Sequence, residues 1–345
     1  MRAVVLHEHG GPEKLVLQSV ADPAPGEGEV LIRLEAASIN HLDLKIRRGT
    51  AGYAISLPRI LGLEGAGEVV ALGHGVTSLA IGQRVLVLPW KRCGECTECR
   101  QGHENTCARS RILSIHTDGC YAELVSVPEG HVLPLPEEIS SAHAAAIPTA
   151  MGTAWHALHA VARVQAGESV LVMAATSGVG VALVQMASRA GARVIAAGRD
   201  PLKLARVRDL GADALVSYED PNWIEHVRQL TDGYGVDVVF EQVGGAWLPA
   251  ALRCLRKRGR LVSYGASGGL RITFEDWQFV YRNEFQILGA TSCSHQEVRQ
   301  VLDLVRVGHL RVIIESVFSL EEAARAHQIL EDRAHFGKVL LVPQA

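Results

Sequence analysis

The chain has 345 residues, 48% of them hydrophobic and 21% charged, with a formal charge of −3. That length suggests two domains, each able to bury its own core, and the small net charge gives no electrostatic reason for a nucleic-acid or anionic-membrane partner. No apolar run reaches the ~18 residues of a membrane helix, the start MRAVVLHEHGGPEKL is neither a signal nor a transit pattern, and seven cysteines, an odd number, fit a reducing cytoplasm.

Up to about residue 130 the chain reads as short strands and turns. In VLIRLEA (30–36), Val30, Ile32, Leu34 and Ala36 share one face, a period of two. GEVVAL (67–72), QRVLVLP (83–89) and YAELVSVP (121–128) read as further strands, with Gly or Pro between them. Within this region RCGECTECRQGHENTC places Cys93, Cys96, Cys99 and Cys107 inside fifteen residues. Four thiolates close a tetrahedral shell and leave no open position for a substrate, so a metal held here is structural. The alternative is four unrelated free thiols.

From about residue 165 the rhythm changes to alternating strands and helices. SVLVMAA (169–175) reads as a buried strand, followed by a helix from Gly178 to Arg189. ARVIAAG (192–198), ALVSY, VDVVFEQV, GRLVSYGA and FQILGATS continue the strand series, with helical segments such as PLKLARVRDLG (201–211) between most of them. This spacing predicts a doubly wound parallel sheet. After about residue 292 come the helices QEVRQVLDLVRVG and LEEAARAHQILEDR, the latter a satellite of either domain, and a last strand, GKVLLVP.

The turn Ala174-Ala175-Thr176-Ser177-Gly178-Val179-Gly180 joins the first of these strands to its helix. Backbone N–H groups of Ser177, Gly178, Val179 and Gly180 can there approach a pyrophosphate at the helix N-terminus. The fingerprint is degraded, because Ala175 and Ser177 replace two of the usual glycines. An NAD site ends its second strand on an acid that holds the ribose 2′-hydroxyl. Here the strand ends Ala197-Gly198-Arg199-Asp200. Gly198 removes repulsion of a 2′-phosphate, Arg199 can pair with one, and Lys203 adds a second cation. Asp200 argues the other way, so NADP(H) is favoured over NAD(H) against that one acid.

Taken together, ASINHLDLKIRRG (37–49), LGLEGAGEVVALG (61–73), the four-cysteine lobe, AAAIPTAMGTAW (144–155), AATSGVG and FGKVLLVP resemble the medium-chain dehydrogenase/reductase superfamily over essentially the whole chain. The resemblance implies an α/β protein with a GroES-like β-barrel catalytic domain (1–132 and 292–345, with the metal lobe at 92–108) and a Rossmann domain (133–291) whose sheet is the doubly wound one. It implies an active site in the cleft between them, a homodimer or homotetramer, and one structural zinc on Cys93, Cys96, Cys99 and Cys107 per subunit. Zinc alcohol dehydrogenases of this superfamily hold a catalytic zinc at positions matched here by Asn40, Leu63 and Thr149, beside the retained Glu64, and relay a proton through a hydroxyl matched by Leu42. Those substitutions point to the zinc-free branch, the quinone oxidoreductases and reductases of α,β-unsaturated carbonyls. The alternatives are a zinc alcohol dehydrogenase with substitute ligands (His41, Asp43, Glu64) and a non-enzymatic NADPH-binding protein.

By the same resemblance Asn40 is either an amide donor to the substrate oxygen or a brace for the turn that follows it. Tyr53 is a proton donor or an exposed loop residue, Thr149 lines the pocket floor, and Asp43 fixes turn geometry. His41 is a candidate for the cofactor pyrophosphate. In the Rossmann half, Tyr218 either lies against the adenosine or packs at a strand end. Gly244, Gly245 and Gly265 end strands where a cofactor can approach closely. Lys338 reaches for the cofactor phosphates or is solvated, and His156 and His159 are surface or cleft-edge residues.

Overall fold

The computed structural model describes residues 1–343 and divides the chain into two compact units, Met1–Thr149 with Ser294 onward, and Ala150–Cys293. The first boundary lies later than the expected 132/133. The strand Val132–Pro134 pairs with Arg84–Val87, and the helix Ser141–Ala145 packs on the strands of the first unit, so residues 133–149 stay with it.

The first unit is built on a mixed sheet. Its order is Val132–Pro134, Arg84–Val87, Glu64–Leu72, Glu29–Ser38, Lys338–Val342, Ile314–Ser319, and Leu124–Pro128 also pairs with Glu29–Ser38. Val30, Ile32, Leu34 and Ala36 are buried, as alternation on a half-buried strand requires. The closing strand lays Leu340 and Leu341 against Ser38 and Ala37, so the end of the chain completes the unit formed by its beginning. The helix Ala323–Glu331 also belongs here, with Ala326, His327 and Leu330 buried. A three-stranded antiparallel sheet, Leu15–Ser19, Arg2–Leu6 and Arg59–Ile60, shares the same core.

The second unit holds a six-stranded, wholly parallel sheet. Its order is Ala214–Ser217, Arg193–Gly198, Ser169–Val172, Val236–Glu241, Leu255–Ser263, Gln286–Gly289. The chain therefore winds outward in one direction from Ser169–Val172 and then returns to its other side. That reversal opens a crevice at the carboxyl ends of the central strands, the place where doubly wound sheets bind their ligands. The helix Gly178–Arg189 forms as expected, and Pro201–Ala205 tightens into a 3₁₀ turn, Arg206–Leu210, ended by Gly211 at φ +106°. Two π-helical segments, Ile147–Met151 and His156–Ala162, interrupt the run that begins at AAAIPTAMG. Among the described residues no helix is long and apolar enough to cross a membrane.

Candidate active site and metal site

The four cysteines of the lobe converge as their spacing predicts. Their Sγ atoms all lie within 4.8 Å of one another, with Cys93–Cys107 at 3.5 Å, Cys93–Cys99 at 3.8 Å and Cys96–Cys107 at 3.9 Å. A tetrahedron of thiolates about 2.3 Å from zinc has edges of about 3.8 Å, so the cage fits that ion. Backbone N–H groups of Glu95 and Cys96 point at the Cys93 sulfur and bring its thiol well below the usual range. The lobe is also tied to the rest of its unit: the Glu104 carboxylate accepts from the backbone N–H of His295, at the start of the helix His295–Arg306.

A second polar cluster lies in the interior of the same unit. Glu64, at the start of its strand, is fully buried and receives four donors. Ser38 Oγ (2.7 Å), Asn40 Nδ2 (2.8 Å) and Lys338 Nζ (3.2 Å) reach Oε1, and the backbone N–H of Thr149 reaches Oε2 at 2.7 Å. Lys338 Nζ donates in addition to the Ile39 carbonyl (2.9 Å) and to Asn40 Oδ1 (2.7 Å). An ammonium has three hydrogens, and here each has an acceptor inside the protein. The expected reach of Lys338 to cofactor phosphates is therefore replaced by pairing with a buried carboxylate.

Asn40 is equally committed. Its amide nitrogen serves Glu64 and, at 3.4 Å, the Ser38 carbonyl, while its oxygen accepts from Lys338. Of the two roles open to it, the geometry favours the brace. Asp43 holds the turn that follows, with Oδ2 accepting from the Asn40 N–H at 2.9 Å. Its other oxygen is buried without a partner, and desolvation raises its pKa to about 7. Thr149 is different. Its backbone is spent on Glu64, but its hydroxyl is buried with no hydrogen-bond partner, inside the π-helical segment Ile147–Met151.

Leu63 is buried among apolar side chains, with Ile60, Leu61 and Tyr121 in the same cluster. Tyr53 stands 50% exposed on its loop. His41 is exposed at the first position of the helix His41–Arg48. Among the described residues, the four cysteines are the group of three or more His, Cys, Asp or Glu whose ligand atoms come together; His41, Asp43 and Glu64 do not form one.

In the second unit Ser177 caps the helix Gly178–Arg189, its hydroxyl accepting from the Gly180 N–H at 3.0 Å. The N–H groups of Gly178 and Val179, at the helix start, have no intrahelical acceptor. A Cβ at Gly180 would come within 2.4 Å of the Ala174 carbonyl, which explains the glycine. Ala174 itself sits in the left-handed region at φ +49°, a conformation costing a non-glycine residue about 1–2 kcal/mol. Tyr218 steadies it, its hydroxyl accepting from the Ala174 N–H at 2.7 Å, while its ring packs against Trp223 and Trp247. Tyr218 is thus a packing residue and a brace of the turn.

Gly198 ends its strand buried and close to Thr176, and Arg199 beyond it is exposed. Asp200 is occupied as a helix cap: Oδ1 accepts from the N–H groups of Leu202 and Lys203, and Lys203 Nζ lies 3.7 Å from its carboxylate. Those backbone hydrogen bonds hold its pKa low. Gly244 is required by the protein backbone, since a Cβ there would meet the Gly269 carbonyl at 2.6 Å, and a Cβ at Gly265 would meet the Gln242 carbonyl at 3.0 Å. His159 lies over the Trp155 ring at 4.0 Å between centroids.

Two residues at this end of the sheet escaped the sequence reading. Glu241 folds back so that Oε1 accepts from the N–H groups of Val243 and Gly244, holding the Gly244-Gly245 turn. Gln242 donates from Nε2 to Ser177 Oγ at 2.6 Å. Neither stands in a recognisable motif; only the strand order, which sequence pattern leaves open, places them beside the turn.

Two family models match the chain, the alcohol dehydrogenase GroES-like domain over residues 26–137 and the zinc-binding dehydrogenase over residues 178–306. The NAD-dependent alcohol dehydrogenase of Sulfolobus acidocaldarius is 33% identical, covering 99% of both chains. The quinone oxidoreductase of Rattus norvegicus is 31% identical over 99% of this chain and 98% of its own. A crystal structure of an NAD-dependent alcohol dehydrogenase superposes with a TM-score of 0.94 at 41% identity, covering 99% of each chain. The chain belongs to the medium-chain dehydrogenase/reductase superfamily and is an NAD(P)-dependent oxidoreductase acting on a small molecule.

Proposed function

We propose that the protein is an NADPH-dependent reductase of quinones or α,β-unsaturated carbonyls that works without a catalytic zinc. The observation that carries this reading is the self-contained Glu64 cluster. At the positions where a zinc alcohol dehydrogenase places its ligands, Leu63 has no donor atom, the Asn40 amide is spent on Glu64 and Lys338, and all four bonds to Glu64 come from the protein. The Lys338 ammonium supplies positive charge where a metal would otherwise be needed. An acceptor whose negative charge delocalises asks less of the protein than an isolated carbonyl, which loses most of its stabilisation without a Lewis acid.

When bound, the nicotinamide cofactor supplies the hydride. The buried, unpartnered Thr149 hydroxyl donates a hydrogen bond to the substrate oxygen as charge develops there. Asn40 and Lys338 hold Glu64, which in turn fixes the Thr149 backbone. Tyr53, exposed on its loop, or solvent returns the proton. The turn from Ser177 to Gly180 takes the pyrophosphate. The preference for NADPH rests on Gly198 and the exposed Arg199, with Asp200 turned to capping its own helix. We further propose a homo-oligomer. Leu270, Ile272, Trp277, Tyr281 and Ile287 are exposed within eighteen residues, beside the free edge of the strand Gln286–Gly289.

A second reading, oxidation of an alcohol with NAD, is favoured by the 41% identity to an NAD-dependent alcohol dehydrogenase. One experiment separates the two. Trans-2-hexenal offers a C=C and a C=O in one molecule, and its product is identified after incubation with NADPH and, separately, with NADH. Hexanal formed faster with NADPH is the expected result. Hexenol would sink the zinc-free conjugate reduction, and faster turnover with NADH would remove the cofactor assignment.

A further inference from the structure

Gln242 has no place in the fingerprint of the phosphate turn, yet its side chain ends on it. In the parallel pairing of Ser169–Val172 with Val236–Glu241, Phe240 lies level with Val172, so Gln242 lies level with Ala174, the first residue of the turn. These two strands flank the point where the winding of the sheet reverses. Gln242 therefore reaches across the crevice itself. Its backbone is anchored there, since its carbonyl accepts from the Ser267 N–H at 3.1 Å.

We infer that Gln242 is a positioning residue of the nucleotide site, which orients the Ser177 hydroxyl so that its hydrogen points at the pyrophosphate. The inference rests on the nucleotide-binding reading above and on the valence of a hydroxyl. A serine Oγ has two lone pairs and one hydrogen. One lone pair accepts from the Gly180 N–H at 3.0 Å and the other from Gln242 Nε2 at 2.6 Å. Both neighbours are N–H donors, so neither can take the hydroxyl hydrogen. It must be offered elsewhere, and the adjacent N–H groups of Gly178 and Val179 are the unpaired donors of the same helix start. A donor arriving at Oγ also polarises its O–H bond and strengthens the bond that this hydrogen makes. An anion at the helix N-terminus would thus meet three converging donors, two fixed by the backbone and one fixed by Gln242. Without Gln242 the hydroxyl regains a free lone pair and can rotate its hydrogen away.

The test is a double-mutant cycle on Gln242→Met and Ser177→Ala, reading dissociation constants for NADPH and for 2′-AMP, which lacks the pyrophosphate. Gln242→Met is expected to weaken NADPH about tenfold and to leave 2′-AMP within about twofold. In the Ser177→Ala background Gln242→Met is expected to cost nothing further, because the group it acts through is gone. Ser177→Thr, which keeps the hydroxyl, should restore the sensitivity to Gln242→Met and guards against a Ser177→Ala protein that folds poorly. Equal losses for both ligands, or losses that add in the double variant, would overturn the positioning role while leaving the nucleotide site standing. If the wild-type protein binds neither ligand, the nucleotide reading itself falls and takes this inference with it.

Discussion

The first unit contains two polar centres that solve the same electrostatic problem in opposite ways. At the lobe, four sulfurs stand within 4.8 Å of one another, and the exposed Arg109 guanidinium reaches only one of them, Cys93. Four thiolates at that distance repel and four neutral thiols bind each other weakly, so the cage suits a cation at its centre. At Glu64 the carboxylate is enclosed with its own cation, Lys338, and with further donors from Ser38, Asn40 and the Thr149 N–H. The lobe offers a metal cation four thiol ligands, whereas the interior carboxylate is paired with an ammonium. The difference teaches that ligands fit for zinc in one place say nothing of zinc in the other: the four thiols converge through a short local run, whereas the buried carboxylate meets an ammonium from the far end of the chain.

Breaking the lobe should have the largest effect. Cys93→Ser removes one of four ligands from a cage whose zinc is worth about 10–16 kcal/mol in zinc-finger peptides. Zinc content is expected to fall from one ion per chain to well below half, with a lower melting temperature. Glu104 ties the lobe to His295, so the loss should spread to the start of the helix His295–Arg306, read as faster amide exchange there. Full zinc occupancy in this variant would refute the four-thiolate cage.

The interior cluster should respond more moderately, and without any change in metal content. Lys338→Met leaves Glu64 buried without its cation, a loss of about 3–5 kcal/mol for a pair this enclosed. Adding Glu64→Gln should recover part of that cost, because the uncompensated charge disappears with it. Additive losses measured by urea denaturation would mean that the two groups do not act as a pair, and the contrast with the lobe would collapse.

These two centres also mark how far the sequence can be read. The cysteine spacing carried the lobe completely, since a C-x2-C-x2-C-x7-C run is local and its ligand atoms need only a short chain to meet. The parallel sheet and the helix start at Gly178 were legible for the same reason: period, turn residues and helix start are written in neighbouring positions. The Glu64 cluster was not, because Lys338 lies 274 residues away and meets Glu64 only through the closing strand. An isolated lysine before an apolar run reads as solvated. Gln242 was missed likewise, since its partner lies 65 residues earlier, in the turn that follows the adjoining strand. Asp200 was visible but ambiguous, and only its hydrogen bonds to Leu202 and Lys203 show it facing its own helix.

The smallest effect sharpens the comparison within the cluster's own neighbourhood. Asp43 is buried beside Glu64, but no cation is dedicated to it, and Oδ1 has no hydrogen-bond partner. Burial first, and the Glu64 charge after the opposing Asn40 N–H, set its carboxyl at about 7, against 3.8 for an ordinary aspartate. The folded state therefore binds this proton more tightly than the unfolded state. Its contribution to stability is full below about pH 4, declines as pH rises from there to about 7, and is absent above. Asp43→Asn cannot titrate and can keep the bond from the Asn40 N–H. It should therefore flatten that decline, so that the variant gains on the wild type between pH 5 and pH 7.5 by about 2.5 kcal/mol, from about 1.4 kcal/mol per unit of pH over the part of that window below the folded-state pKa. Urea midpoints at the two pH values decide it. Parallel curves for the two proteins would mean that Asp43 is ionised throughout and finds its compensation in Lys338 after all, which would make the two carboxylates one shared site instead of a paired group beside an unpaired one.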